Sequence, residues 1–156
     1  MNPAPNGWPR IASSLFYDDP RKAIEWLCRA FGFEVRLLVE SSEGGVVHSE
    51  LVYGDGVIMV GDASKRPHYR SPRAANGNTQ SLMVCVDDVD AHCEHAREHG
   101  AKIFMEPTTS DHGPDYWTDR SYGAVDLEGH HFWFVQRLRT GNQDWSKVRN
   151  KIERHG

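Results

Sequence analysis

Apolar positions along this chain fall into two periods, and the order in which the periods alternate repeats once. Residues 10–17 read as a strand, and from Asp19 the period lengthens: Ala23, Ile24, Leu27 and Phe31 recur every three to four residues, the stripe of one helix face. Asp19 stands as an N-cap, Pro20 suits the first helical position, and Gly32 supplies the stop. Strand-like runs follow over 34–39, 46–53 and 57–62, with Gly54-Asp55 predicting a tight hairpin between the last two. After a polar stretch the pattern starts again, with a strand over 80–86, a helix over about 89–99 on Val89, Cys93 and Ala96, and strands near 101–106, 120–126 and 130–136. Residues 107–118 read as irregular.

The repeat is an internal duplication. Asp18-Asp19 and Asp87-Asp88 each open a helix and lie 69 residues apart, while 56–60 aligns with 130–134 at an offset of 74. Two copies of one β-α-β-β-β unit predict an α+β fold of two βαβββ modules within one domain. Module one spans 10–62, a linker 63–79, and module two 80–137. Trp145, Val148 and Ile152 predict a C-terminal helix over 142–155 whose apolar face docks on the body or on another subunit.

Composition narrows the function classes. A chain of 156 residues buries a core without a metal or disulfide staple. The net charge of −4 comes from interspersed charges with no basic stripe, which argues against nucleic acid as a partner. Cys28, Cys85 and Cys93 lack paired spacing and suit a reducing compartment. The start is unlike a signal peptide, and no segment has the roughly 20 apolar residues of a membrane span. The expectation is a soluble, cytoplasmic protein with no membrane partner.

The paired modules, the Asp-Asp helix entries and the run from Tyr122 to His130 (YGAVDLEGH) before an aromatic strand resemble the vicinal oxygen chelate superfamily. This is the family of glyoxalases, bleomycin-resistance proteins and extradiol dioxygenases, and the resemblance covers about 10–137, nearest to the glyoxalase/bleomycin-resistance-like group. It implies curved sheets around a ligand cavity, helices on the convex sides, and a homodimer that builds its pocket from both chains. In metal-dependent members four ligands, usually His and Glu, come from the first and last strand of each module. Those positions are Ala12, Met59, Ser81 and Trp133 here. None is an ordinary ligand for a hard or borderline divalent cation, so no cofactor is expected.

Strand alternation nominates the cavity lining independently. Ile58, Val60, Leu82, Val84, Phe132 and Phe134 take the helix side, which leaves Met59, Met83, Cys85, His131 and Trp133 facing the cavity with Ser14 and Phe16. With Gly54-Asp55 as the turn, Glu50 pairs with Met59 and His48 with Gly61, so His48 and Glu50 also point inward. The 74-residue offset sets Tyr122 opposite His48, and Trp117 and Arg120, with Tyr116, form a rim. His48, Glu50 and His131 are the grouping for a displaced divalent metal or for acid–base work. His92, His95 and His99 flank the second helix beside its core stripe, and Asp126 and Gly129 set a turn. The leading expectation is a metal-free protein that sequesters an aromatic or cationic metabolite or drug. The alternatives are a metal-dependent lyase or isomerase using the displaced site, and an interaction protein whose cavity is filled.

Overall fold

The computed structural model describes residues 2–142. Module one consists of β1 (Ser13–Tyr17), α1 (Pro20–Phe31), β2 (Glu34–Glu40), β3 (Val46–Tyr53) and β4 (Gly56–Asp62). A 3-10 turn (Ala63–Lys65) and the short helix α2 (Pro72–Ala75) lead to β5 (Ser81–Cys85), α3 (Val89–Glu98), β6 (Lys102–Asp111), β7 (Trp117–Val125) and β8 (His131–Thr140). The two four-stranded sheets have the orders β1-β4-β3-β2 and β5-β8-β7-β6. β1 runs parallel to β4 and β5 to β8; the other pairs are antiparallel. The sheets are curved and not closed, the α+β fold of two βαβββ modules.

Local chemistry explains both long helices. The Asp19 carboxylate accepts from the Lys22 amide at 3.1 Å, Pro20 opens the first turn, and Gly32 ends α1 at φ 75°. In α3, Asp88 accepts from the Ala91 amide at 3.0 Å. The stretch 107–118, expected to be irregular, instead extends the β6–β7 hairpin. Pro107 lies within a register shift between Met105 and Thr108, a place where a strand tolerates proline because no ladder donor is required. Farther out, Arg139 donates to Asp111 at 2.9 Å across the strands. The expected helix over 142–155 falls on residues outside the described range. Among the described residues no helix is long and apolar enough to cross a membrane.

Both helices and the inner face of each sheet share one core. Phe31, at the end of α1, has its ring centroid 4.9 Å from Phe132 and 4.8 Å from Phe134, so module one's helix packs directly on module two's sheet. Full burial of such a side chain stabilises by about 1.5–3 kcal/mol. The opposite sheet faces point away from this core.

A polar network buried beside the core fixes one module on the other. The Tyr17 hydroxyl donates to Asp126 at 2.6 Å, and the second Asp126 oxygen accepts from the amides of Glu128, Gly129 and His130 at 2.8–2.9 Å. Glu128 accepts from the Asp18 and Asp19 amides at 2.6 and 3.0 Å, at the entry to α1, and meets Arg73 at 3.2 Å. His130 Nε2 donates to the Phe16 carbonyl at 3.0 Å. On the far side of the interface, His92 Nε2 donates to the Phe31 carbonyl at 3.2 Å, which leaves Nδ1 to accept from Tyr122 at 2.7 Å. His95 and His99 bond the carbonyls of Arg29 and His95.

Two stability predictions follow from these contacts. Tyr17→Phe strands a buried Asp126 oxygen and is expected to cost about 2 kcal/mol, read as a lower urea midpoint at unchanged slope. Burial holds the His92 imidazole below its usual range, with the Phe31 bond opposing. The unfolded chain therefore takes up this proton first: the stabilising contribution is complete above about pH 6.5 and is lost as pH falls from there toward the folded pKa. Melting curves from pH 7.5 to 5 are expected to fall more steeply for the wild type than for His92→Gln.

Candidate ligand-binding site

The outward face of module one carries Phe16, His48, Glu50 and Met59. The ladder from Tyr53↔Gly56 to Leu51↔Ile58, continued by bonds of 2.8 and 3.0 Å between Ser49 Oγ and the Val60 backbone, sets Glu50 beside Met59 and His48 beside Gly61. Glu50 is only 7% exposed. One of its oxygens accepts from His48 Nε2 at 2.9 Å, and the other from Arg36 at 2.7 and 2.8 Å. The hydrogen bond from His48 holds the Glu50 carboxyl below the usual carboxylate range; burial opposes this, and the bond and charge of Arg36 reinforce it. Arg36 also donates to the Gly7 carbonyl, and its guanidinium lies 4.4 Å from the Trp8 ring centroid. Phe16 lies over Gly61, where a Cβ would meet the ring at 2.8 Å, and stacks on Tyr69 at 3.9 Å.

The matching face of module two is aromatic. Met83 pairs with Trp133 and Ser81 with His131 along β5 and β8. Phe104 stacks on His131 at 4.8 Å and meets Trp133 edge-on at 5.2 Å. Its ring occupies the space above Gly123, where a Cβ would come within 2.4 Å. Met83 is 69% exposed and Phe104 40%, so the surface is open to solvent.

Phe104 and Arg36 escape sequence reasoning for the same reason. Each falls at a register shift, Arg36 between Val35↔Leu51 and Leu37↔Glu50, Phe104 between Ile103↔Ala124 and Met105↔Gly123. The irregularity takes each out of the regular alternation, and their contacts place them over Glu50 and Gly123. The available signal was Gly123 itself, a glycine inside a strand pattern that marks a close approach.

Two expected site residues, Tyr122 and Arg120, lie on the helix side. Tyr122 is fully buried on the helix side, stacked on Phe134 at 5.0 Å and bonded to His92. The β3–β4 hairpin turns on Gly54 and Asp55, whereas β7–β8 turns on Leu127, Glu128 and Gly129; the extra residue makes the β3–β7 offset 73 rather than 74. A one-residue slip exchanges the faces, so Gly123, not Tyr122, corresponds to Glu50. Arg120 is not on a rim: it pairs with Asp90 of α3 through two bonds of 2.7 Å. Trp117 opens β7, with the Arg137 guanidinium 5.1 Å from its ring.

The metal positions also read clearly. Ala12 precedes β1, Met59 receives a contact from Ser14 Oγ at 4.0 Å, Ser81 is exposed, and Trp133 belongs to the aromatic face. These side chains do not fit the superfamily's metal. Within one chain His48 and Glu50 lie on one sheet and His131 on the other, stacked against Phe104, so a single chain does not bring the displaced grouping together. Among the described residues no three His, Cys, Asp or Glu side chains are grouped to hold a metal ion.

Clefts border these faces. One of about 660 Å³ runs along β1 and β5 and includes Ala12, Tyr53, Met83 and Cys85. Another of about 420 Å³ lies between Phe16, Tyr69 and His130.

Comparison with known proteins agrees with this architecture. The chain is 33% identical to TioX from Micromonospora sp. ML1, whose crystal structure it matches over 83% of its own length and 99% of that chain at a TM-score of 0.65. It is 28% identical to the uncharacterized protein Mb0911c of Mycobacterium bovis over 140 residues, 87% of this chain and 88% of that one. At 18% identity, a glyoxalase/bleomycin resistance protein/dioxygenase superfamily member from Sphaerobacter thermophilus shares the fold over 82% of this chain and 97% of its own, with a TM-score of 0.64. Residues 9–134 match the profile of the Glyoxalase/Bleomycin resistance protein/Dioxygenase superfamily, and with the paired modules and the turn that joins them the chain belongs to that superfamily.

Proposed function

We propose that this protein is a small-molecule binder that sequesters a planar aromatic or cationic compound without a metal and without turning it over. The observation that carries the reading is the Phe104, His131 and Trp133 cluster, with Phe104 stacked on His131, edge-on to Trp133 and lying over Gly123, partly exposed to solvent. Such a surface offers stacking worth about 0.5–2 kcal/mol per aromatic contact. The substitution of all four metal-ligand positions removes the superfamily's means of polarising a substrate oxygen.

The working unit is a homodimer in which the open face of module one meets that of module two from a second copy. Exposed Met83 and Phe104 on one module, and Leu37 and Val39 on the other, are the apolar surface that such an assembly covers. The three free thiols suit the cytoplasm.

Two measurements test the proposal. 9-Aminoacridine, a planar aromatic cation, is expected to raise the melting temperature of the wild type equally with and without EDTA. Trp133→Ala is expected to weaken its binding by about three- to tenfold in titration calorimetry. A response confined to nickel, zinc or manganese and abolished by chelator would sink the metal-free reading. Sedimentation equilibrium is expected to return twice the chain mass, and Met83→Glu with Phe104→Glu to shift it toward one.

A further inference from the structure

Glu50 and His48 form a pair whose hydrogen-bond roles are set by geometry. The Glu50 carboxylate accepts hydrogen bonds on both oxygens, from Arg36 and from His48, and is kept ionised by them. A carboxylate can only accept, so the proton on the His48 imidazole resides on Nε2, and Nδ1 of the neutral ring carries a lone pair. Among the described residues nothing in the protein meets that nitrogen, and the His48 side chain is 41% exposed.

Arg36 cannot serve a ligand in the same way. Its guanidinium is spent on Glu50, on the Gly7 carbonyl and on the face of Trp8. Glu50, likewise, has both oxygens engaged and is shielded from solvent. The charges of Arg36 and Glu50 are therefore consumed internally, and His48 Nδ1 is left as an acceptor. On the same sheet Phe16 pairs with Gly61, and its ring packs between that glycine and Tyr69. The glycine at 61 is what lets the Phe16 ring lie on this sheet, because any Cβ there would strike it.

We infer that His48 Nδ1 is the polar determinant of ligand choice: the site selects aromatic compounds that carry a hydrogen-bond donor, a phenolic O–H or a ring N–H, over isosteres that lack one. This rests on the capture reading above and specifies its ligand class. Glu50 is a positioning residue that fixes the tautomer, and Arg36 holds Glu50.

The test compares 2-naphthol with 2-methoxynaphthalene, which share a ring system and differ in the donor, by titration at pH 8 against wild type, His48→Leu and Glu50→Gln. The wild type is expected to prefer the naphthol by about tenfold, the size of one hydrogen bond. His48→Leu is expected to bind both alike at the level of the ether, and Glu50→Gln to lose part of the preference while melting as a folded protein. Equal affinities in the wild type, or a preference that survives in His48→Leu, overturn the inference and leave aromatic capture standing. Binding of neither compound removes the capture reading and this inference together.

Discussion

The two carboxylates of the β7–β8 turn are the constraint on which the remaining geometry rests. Asp126 organises its own turn through three amides and reaches across to Tyr17, while Glu128 caps the amides at the entry to α1. Both are buried, and a buried carboxylate is tolerated only when its lone pairs are met. One arrangement of the modules satisfies them, with the end of β1 against the turn of module two. That arrangement brings Phe31 onto Phe132 and Phe134, merges the two helix layers into one core, and commits the other face of each sheet to the outside.

On those outer faces the duplicated modules have diverged by chemistry while keeping their geometry. The same irregularity re-aims Arg36 in one copy and Phe104 in the other, and the residue beneath is Glu50 in one and Gly123 in the other. Module one thereby gains a closed charge pair that fixes a histidine tautomer. Module two gains an aromatic surface laid directly on the backbone. The outer faces of the two copies thus differ in what they carry, a histidine held by a carboxylate on one and an aromatic cluster on the other.

The distinction between the two turns has a similar logic. Two residues suffice to close β3–β4, and the third residue of the β7–β8 turn provides room for Glu128 to reach α1. The insertion also moves Tyr122 to the helix side, where it stacks on Phe134 and bonds His92. One inserted residue thus contributes both to module docking and to the loss of side-chain symmetry between β3 and β7.

The sequence by itself determined the duplicated modules, the caps and stops of the helices, and the hairpin register that pairs Glu50 with Met59. These are readable because they depend on short-range periodicity and on side chains whose backbone preferences are strong, such as Asp19, Pro20 and Gly32. The face occupied by Tyr122, the engagement of Arg120 by Asp90, the extension of β6 past Pro107, and the covering of Gly123 by Phe104 were decided by tertiary structure. Alternation determines a face only while the register is unbroken, and a bulge or an added turn residue breaks it without changing the hydrophobic pattern. The pairing of modules through Asp126 and Glu128 lies in the same category: in the chain they are turn residues, and only the approach of Tyr17 and the start of α1 makes them the joint of the molecule.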